Sequence, residues 1–322
     1  MSKKRLLIVD QLNLFFRSYI VDPSLSSNGQ PIGGLKGTLK ALQKIVRETN
    51  PDQVIICWDG EGGSNRRKII NKNYKAGRKP PRLNRGVSVL SEAEETENKI
   101  WQMEQLVKYY NNMPTVQFMF RGVEADDIIA YVNQLPHYKE WQKVIISNDK
   151  DFYQLLDDAT IVYRPAQKEI VNKNIILERS SVHPRNYVLA RAMEGDKSDN
   201  LDGGTRIGMK TVKNIFPFLS EDKDYTIDDV LNFSKSMLAE SKKKAYDAIL
   251  EHEETIRRNY KMMQLSSPMM PITAKKEVRK TIEENIPEFN KTELIKMMIQ
   301  DGFGDWNWSD LQVHFRKMIV DH

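Results

Sequence analysis

The sequence predicts an α/β protein with a mostly parallel central sheet, helices on both faces of that sheet, and a helical C-terminal region. Short apolar segments alternate with segments of helical periodicity as far as residue 163, and acidic residues follow the apolar segments closely. From residue 184 onward the periodicity is helical. The predicted strands are residues 5–10, 53–58, 116–120, 144–147 and 160–163.

Helices are predicted where apolar residues recur every three or four positions. The predicted helices are residues 34–48, 91–112, 126–135, 184–194 and 227–265, with a short helix beginning at Met209. A chain of 322 residues can form one large domain or two smaller ones. We expect an α/β domain at residues 1–180 and a helical region at residues 181–322.

The composition argues against several classes of protein. Hydrophobic residues make up 40% and charged residues 29% of the chain, as in a globular protein. No apolar run approaches the roughly 20 residues that cross a bilayer, and Asp10 interrupts the first run too early for a signal peptide. A single cysteine, Cys57, excludes an internal disulfide. These features favour a cytoplasmic protein without a membrane segment.

A block of basic residues lies between positions 62 and 91. This block contains no aspartate or glutamate, although the net charge of the chain is only +5. Such a block either binds a polyanion or extends into water as a solvated loop. Its basic residues are Arg66, Arg67, Lys68, Lys72, Lys75, Arg78, Lys79, Arg82 and Arg85.

Acidic residues follow the predicted strands at the carboxyl ends, where parallel sheets bind their ligands. Two further acids lie in a loop at residues 195–200. The candidate metal ligands are Asp10, Asp59, Glu124, Asp126, Asp127, Asp149, Asp151, Asp196 and Asp199. Taken singly, each is explained as well by a helix cap or a solvated loop, and Asp126 and Asp127 suit the first turn of a helix. Their repetition at successive strand ends favours convergence on one site.

Carboxylates gathered at one edge of a sheet repel one another, which raises their pKa values or requires cations. Mg²⁺ suits such a site because it takes oxygen ligands. Two ions about 4 Å apart activate a water and stabilise the leaving oxygen of a phosphodiester. We expect two Mg²⁺ ions, with Mn²⁺ able to replace them. Zinc is not predicted, because the chain lacks cysteine and histidine pairs at ligand spacing.

Seven short motifs occur in the order found in the structure-specific 5′ nucleases, which the chain resembles from residue 5 to about residue 215. This family includes flap endonucleases, the 5′-exonuclease domain of bacterial DNA polymerase I, and bacteriophage 5′-exonuclease/RNase H enzymes. The motifs are Leu7-Ile8-Val9-Asp10, Trp58-Asp59-Gly60, Tyr74-Lys75-Ala76-Gly77-Arg78, Gly122-Val123-Glu124-Ala125-Asp126-Asp127, Ser147-Asn148-Asp149-Lys150-Asp151-Phe152, Gly195-Asp196-Lys197-Ser198-Asp199-Asn200 and Ile207-Gly208-Met209-Lys210-Thr211. The resemblance implies a PIN-like sheet, a helical arch at about residues 62–112, and a helix-hairpin-helix-type motif at about residues 186–218.

The resemblance also implies roles for the matching residues. The first metal ion would be surrounded by Asp10, Asp59, Glu124, Asp126 and Asp149. The second would be surrounded by Asp151, Asp196 and Asp199, with Asp127 nearby. Lys75, Arg78 and Asp149 would be catalytic, with the two cations facing the scissile phosphate from the base of the arch. Tyr74 would stack on a base of the substrate. Further DNA contacts would come from Arg66, Arg67, Lys72 and Lys79.

Residues 203–211 resemble the turn with which this family binds the duplex downstream of the cut and holds a potassium ion. The implied DNA contacts are Gly204, Arg206, Gly208, Lys210 and Thr211. The family has proline at the position of Asp202 and glycine at that of Arg206, and glycine adopts a left-handed backbone more easily than arginine. The alternative is an ordinary glycine turn between two helices.

The expected function is that of a Mg²⁺-dependent 5′-3′ exonuclease or flap endonuclease in DNA replication or repair, with RNase H activity on RNA primers. The expected partners are DNA with a 5′ flap, nick or RNA primer, and a single-strand-binding protein or clamp. We expect a monomer in a bacterial cell or phage-infected host. The alternatives are a PIN-type ribonuclease and a non-catalytic DNA-binding homologue.

Overall fold

The computed structural model describes residues 3–87, 90–241, 243–285, 287–304 and 306–320. Residues 88 and 89 of the predicted arch lie outside this part. The strands are β1 Arg5–Asp10, β2 Gln53–Cys57, β3 Val116–Phe118, β4 Gln142–Ile146, β5 Thr160–Arg164, β6 Glu169–Val171, β7 Gly195–Asp196 and β8 Leu201–Asp202. The helices are α1 Gln11–Val21, α2 Gly33–Thr49, α3 Asn65–Ile70, α4 Glu92–Tyr110, α5 Ala125–Asn133, α6 Lys173–Ser180, α7 Pro184–Glu194, α8 Met209–Ile215, α9 Ile227–Glu240, α10 Lys244–Glu251, α11 Glu253–Met263, α12 Ile272–Glu284, α13 Lys291–Gln300, α14 Trp308–Phe315 and α15 Lys317–Val320. Among the described residues, no helix is both long and apolar enough to span a membrane.

The central sheet has the strand order β3-β2-β1-β4-β5-β6. Its strands pair in parallel except for β5 and β6, which pair antiparallel. The mostly parallel sheet is therefore confirmed. The sequence pattern missed β6 and α1. Strand β6 has only three residues, and α1 continues directly from β1 because the Asp10 carboxylate caps its first turn by accepting from the Asn13 amide.

Alternate residues of the strands pack on opposite faces of the sheet, as the pleat requires. Leu6 and Ile8 join a buried cluster with α5 and α12, whereas Leu7 and Val9 join a second cluster with α1, α2 and α4. All four side chains are fully buried. The prediction of helices on both faces of the sheet is thus confirmed.

The helical region has its own core between Val182 and Ile256, built by α7 to α11. The single helix predicted at residues 227–265 is divided into α9, α10 and α11. Thr226 caps the start of α9, and the turn at His252 separates α10 from α11. Between α7 and α8 lie the two-stranded ribbon β7–β8 and the turn that follows it.

The helices after residue 264 pack against the α/β domain. Met270 and Val278 pack in the cluster beneath one face of the sheet, and Leu294 and Phe315 pack in the cluster beneath the other. The chain therefore returns from the helical region to the α/β domain, because the apolar faces of α12 to α14 cover the sheet and its helices. The helical region at residues 181–322 stays a prediction.

The predicted arch, residues 62–112, consists of α3, an irregular segment and α4. Leu106, Tyr109 and Tyr110 are buried in the core beside the sheet, so the C-terminal part of α4 belongs to the body of the domain. The irregular segment is fastened to the other end of α4, where the Leu83 amide donates to Glu95 Oε1 at 2.5 Å.

Candidate active site

Three neighbouring strands, β2, β1 and β4, bring acidic residues to one edge of the sheet. Asp10 is the last residue of β1, and Asp59 and Asp149 follow β2 and β4 closely. The Ser147 hydroxyl donates to Asp10 Oδ2 at 2.7 Å, and the Ala125 amide at the start of α5 donates to Asp59 Oδ1 at 2.9 Å. Parallel pairing thus fixes the three carboxylates at the same edge.

Crowding of negative charge at this edge accompanies raised pKa values of Asp10 and Asp126. Burial raises the pKa of Asp10 to about 7, against the hydrogen bond from Ser147 and together with the negative charges of Asp59 and Asp149. Burial also raises the pKa of Asp126 well above its usual value, and Asp149 and Asp10 add to this effect. These carboxylates are close enough to disfavour one another's ionisation.

A second acidic group surrounds Arg191 on α7. The guanidinium contacts Asp151 at 3.4 Å, Glu194 at 2.8 Å and Asp196 at 2.5 Å. Burial and the charge of Asp149 raise the pKa of Asp151 to about 8, although Arg191 opposes the shift. Arg191 therefore supplies positive charge between acids that strand β7 and the turn after β4 bring together.

A buried ion-pair network joins α3 to the start of α5. Arg67 contacts Glu124 at 2.5 Å and Asp127 at 2.7 Å, and its Nε donates to the Met262 carbonyl at 2.8 Å. Lys75 Nζ contacts the other oxygen of Glu124 at 2.5 Å. Burial raises the pKa of Glu124, but the charges of Arg67 and Lys75 outweigh it and lower the pKa overall. Glu124 is thus ionised and held from two sides.

The predicted base of the arch lies against the second acidic group. The Lys75 amide donates to the Asp199 carbonyl at 2.9 Å, and the Arg78 guanidinium pairs with the Asp199 carboxylate. Burial raises the pKa of Asp199, with Lys75 and Arg78 opposing it. Lys75 therefore contacts two candidate ligands, Glu124 through its side chain and Asp199 through its backbone.

The carboxylates do not form a closed metal cage as they stand. Over the residues that the structure describes, no three acidic, histidine or cysteine side chains are arranged to hold a metal ion. Basic side chains pair with five of the nine candidate ligands, namely Glu124, Asp127, Asp151, Asp196 and Asp199. The donor atoms are carboxylate oxygens, which Mg²⁺ and Mn²⁺ prefer. The chemistry of the donors fits such ions.

The turn before α8 adopts the conformation that the sequence left open. Arg206 has φ +62°, in the left-handed region, despite its side chain. Thr205 Oγ1 lies 3.2 Å from His252 Nε2, and the Met209 amide donates to Glu194 Oε1 at 3.1 Å. Lys210 is exposed on the first turn of α8. Since Glu194 also contacts Arg191, this turn is linked to the second acidic group.

Residues 5–181 match the family model described as the 5′-3′ exonuclease, N-terminal resolvase-like domain. This match covers more than half of the chain.

The chain belongs to the 5′-3′ exonuclease family. It is 31% identical to the 5′-3′ exonuclease of Buchnera aphidicola subsp. Schizaphis graminum over 213 residues, which are 65% of this chain and 69% of that protein. It is 29% identical to the 5′-3′ exonuclease of Aquifex aeolicus, over 66% of this chain and 68% of that protein.

Solved structures with the same fold cover nearly the whole chain. The bacteriophage T5 5′-exonuclease, solved with divalent zinc ions bound, has a TM-score of 0.64 at 20% identity over 92% of this chain and 98% of that one. The catalytic core of Rad2 in complex with DNA substrate has a TM-score of 0.52 at 11% identity, over 99% of this chain and 93% of that one. At these identities the likeness establishes the fold alone, and the fold includes the C-terminal helices.

Two residues expected to contact DNA in this exonuclease are buried instead. Arg67 is only 4% exposed and is enclosed by Glu124, Asp127 and the α11 backbone. Tyr74 is 3% exposed, and its hydroxyl donates to Glu124 Oε2 at 3.3 Å, so its ring cannot stack on a base in this conformation. Both DNA contacts stay predictions, and each requires the side chain to leave Glu124.

Asp127, another candidate metal ligand, is buried beside Arg67 and Glu124. Its carboxylate is 1% exposed, pairs with Arg67 and accepts from the Met269 amide at 2.8 Å. It thus fastens α5 to the chain after α11. The other expected DNA contacts have mixed positions, with Gly204 buried and Gly208 and Thr211 half-buried. The exposed ones are Arg66, Lys72, Arg78, Lys79, Arg206 and Lys210.

Sequence reasoning missed the part of Arg191 and Ser147 in this site. Arg191 lies inside α7, where an arginine has no distinguishing pattern, and only the fold brings it to Asp151, forty positions earlier. Ser147 stands within a quoted motif two residues before Asp149, so its proximity to that acid was a usable signal. Its partner, the carboxylate of Asp10, lies 137 positions away and follows only from the pairing of β1 with β4.

Proposed function

We propose that this chain is a structure-specific 5′ nuclease that hydrolyses phosphodiester bonds at or near 5′ ends in DNA replication or repair. The observation that carries the proposal is the convergence of buried carboxylates at the ends of β2, β1 and β4 in a member of the 5′-3′ exonuclease family. DNA flaps, nicked ends and RNA primers on DNA are the proposed substrates. We propose that the protein is a monomer. Its proposed protein partner is a single-strand-binding protein or a clamp.

Divalent metal ions, Mg²⁺ or Mn²⁺, are the proposed cofactors. Asp10, Asp59, Glu124, Asp126 and Asp149 would hold one ion, and Asp151, Asp196 and Asp199 a second. When bound, such ions lower the pKa of a water and neutralise charge on the cleaved phosphodiester. The mutual raising of carboxyl pKa values supports this, because a cation relieves the repulsion.

Lys75 and Arg78 are the proposed cationic groups of the reaction. Lys75 Nζ already lies at the acidic edge, 2.5 Å from Glu124, and its side chain is 21% exposed. A phosphate at this edge would therefore meet an ammonium group that the protein has placed beforehand, which stabilises negative charge growing in the transition state. Arg78 is about half exposed and can exchange Asp199 for a phosphate.

The turn at residues 203–211 is the proposed contact with duplex DNA. Arg206 and Lys210 are exposed there, and the left-handed backbone at Arg206 keeps the turn shape that a glycine would allow. Backbone amides at the start of α8 and the lysine charge suit a phosphate backbone. A potassium ion held by the carbonyls of residues 203–208 is part of this proposal.

Cleavage of a labelled 5′ flap in the presence of MgCl₂ tests the function. The wild-type chain is expected to release short 5′ products, and Asp149→Asn is expected to bind the same flap while cutting it at least about a thousandfold more slowly. Wild-type protein that binds the flap without cutting it would favour the non-catalytic homologue. Cleavage of single-stranded RNA alone would favour the PIN-type ribonuclease.

A further inference from the structure

The turn between β7 and β8 holds the backbone around Lys75. We call this contact the arch clasp and define it as residues 73–78 against residues 198–200. Asn200 Nδ2 donates to the Asn73 carbonyl at 2.9 Å, and the Lys75 amide donates to the Asp199 carbonyl at 2.9 Å. Arg78 Nε adds a bond to the Ser198 carbonyl at 2.8 Å. The clasp joins the predicted arch base to the ribbon that carries the second acidic group.

Two residues of the arch clasp have left-handed backbones that are uncommon outside glycine. Lys75 has φ +56° and Asn200 has φ +58°. Asparagine tolerates this region better than most residues, whereas a lysine there is strained and persists only where its surroundings hold it. For Lys75 the surroundings are the Asp199 carbonyl at its amide and the Glu124 carboxylate at its ammonium group. The conformation of Lys75 therefore depends on the turn that Asn200 closes.

We propose that Asn200 is a positioning residue for the cleavage reaction and acts through Lys75. Asn200 is exposed, and none of the hydrogen bonds described for its side chain reaches an acidic side chain. Its amide holds the chain two residues before Lys75, and its left-handed backbone completes the turn that presents the Asp199 carbonyl. The inference rests on the proposed function, because it assigns a role in the same reaction.

The same geometry couples the arch base to the second acidic group. The turn begins at Asp196, whose Oδ1 accepts from the Ser198 amide at 2.7 Å and from its hydroxyl at 2.6 Å. Asp199 and Asn200 are the next residues along the turn. A shift of this turn would consequently move Lys75 and the acids together, so the clasp keeps the ammonium group in register with the carboxylates.

Substitution of Asn200 by glycine tests the role of the amide, since glycine keeps the left-handed backbone and removes the side chain. We expect the single-turnover cleavage rate at saturating protein to fall between about tenfold and a hundredfold. The dissociation constant for the flap measured in Ca²⁺, without cleavage, should change less than about twofold, because Asn200 is not among the proposed DNA contacts. Asn200→Asp, which keeps the shape but cannot donate to Asn73, should show a loss of rate at least as large.

A double-variant cycle with Lys75→Ala separates positioning from general loss of structure. If Asn200 acts through Lys75, adding Asn200→Gly to Lys75→Ala should slow cleavage by less than about twofold more. Asn50→Gly is the matched control, because Asn50 is also exposed and left-handed, with φ +44°, at the end of α2. This control should cut at the wild-type rate.

The outcomes separate this inference from the proposed function. A wild-type rate for Asn200→Gly, or an equal slowing in the Lys75→Ala background, overturns the positioning role while leaving the nuclease intact. A parallel loss of flap affinity also overturns it, because the residue would then act in binding. Failure of the wild-type chain to cut any flap overturns both.

Discussion

Two arginines hold pairs of acids in this molecule, and their surroundings differ. Arg67 lies between Glu124 and Asp127, and all three side chains are at most 5% exposed. Arg191 lies between Asp151 and Asp196, with the three side chains between 12% and 19% exposed. The α11 backbone covers the first group, because Arg67 also donates to the Met262 carbonyl. The side chains of the second group are more exposed to solvent.

One acidic edge can contain structural ion pairs and ion pairs whose arginine can be replaced by another cation. A fully buried pair is costly to break, because each ion left behind is uncompensated and out of contact with water. A partly exposed pair can trade its arginine for another cation. We infer that Arg67 fixes the framework of the site and that Arg191 holds the second acidic group until a metal ion replaces it.

The largest expected effect is on stability at Arg67. Arg67→Leu leaves Asp127 buried without a cationic partner and Glu124 paired with Lys75 alone, and should lower the free energy of unfolding by about 3–5 kcal/mol. Denaturant titration with and without MgCl₂ measures this change. Arg67→Lys is the control that retains the charge, and it should lose less. An Arg67→Leu protein as stable as the wild type would remove the distinction between the two arginines.

Lys75 and Arg67 both pair with Glu124. A Lys75 variant therefore tests whether the cation on one side of Glu124 acts in cleavage while the cation on the other side acts in stability. Lys75→Ala should slow cleavage by about a hundredfold to a thousandfold, because it removes positive charge placed for the transition state. The flap dissociation constant should change far less. Rates at saturating protein and affinities in Ca²⁺ provide the two measurements, and equal losses in both would contradict a transition-state role.

Arg191→Met tests the more exposed of the two ion-pair groups. Removing this guanidinium leaves Asp151 and Asp196 repelling each other, and should cost about 1–3 kcal/mol of unfolding free energy without metal. Mg²⁺ should restore most of this loss, whereas it should restore a smaller share of the loss in Arg67→Leu, because of the two acids there only Glu124 is a proposed ligand. Thermal unfolding of both variants across a MgCl₂ series makes the measurement. Equal responses of the two variants to Mg²⁺ would show that the arginines do not differ in this way.

The smallest expected effect is the pH dependence of stabilisation by Mg²⁺. The pKa values of Asp10 and Asp151 are raised to about 7 and about 8 in the folded state, so their contribution to stability is present at low pH and lost as pH rises through these values. Metal binding needs the ionised carboxylates. The gain in unfolding free energy with Mg²⁺ should therefore grow between about pH 5 and about pH 8. A gain independent of pH would argue against metal binding at these acids.

Local patterns in the chain determined the parallel sheet, because each strand is a short apolar run whose position needs no knowledge of distant residues. The same patterns placed Asp10, Asp59 and Asp149 at strand ends, and parallel pairing then brings strand ends to one edge. Strand β6 and helix α1 were missed because one is short and the other begins inside an apolar run.

What only the tertiary structure decided is the partner of each charged side chain. The basic block predicted exposed side chains that bind a polyanion. Arg67 is buried instead, because it pairs with Glu124 and Asp127. Likewise, residues after 264 gave no motif, and their packing against both faces of the sheet follows from apolar surface that the rest of the fold leaves to be covered. The sequence by itself determined which residue types stand at which strand ends, since periodicity is local. Ion pairing and the return of the C-terminal helices depend on distances between residues far apart in the chain, which local patterns do not contain.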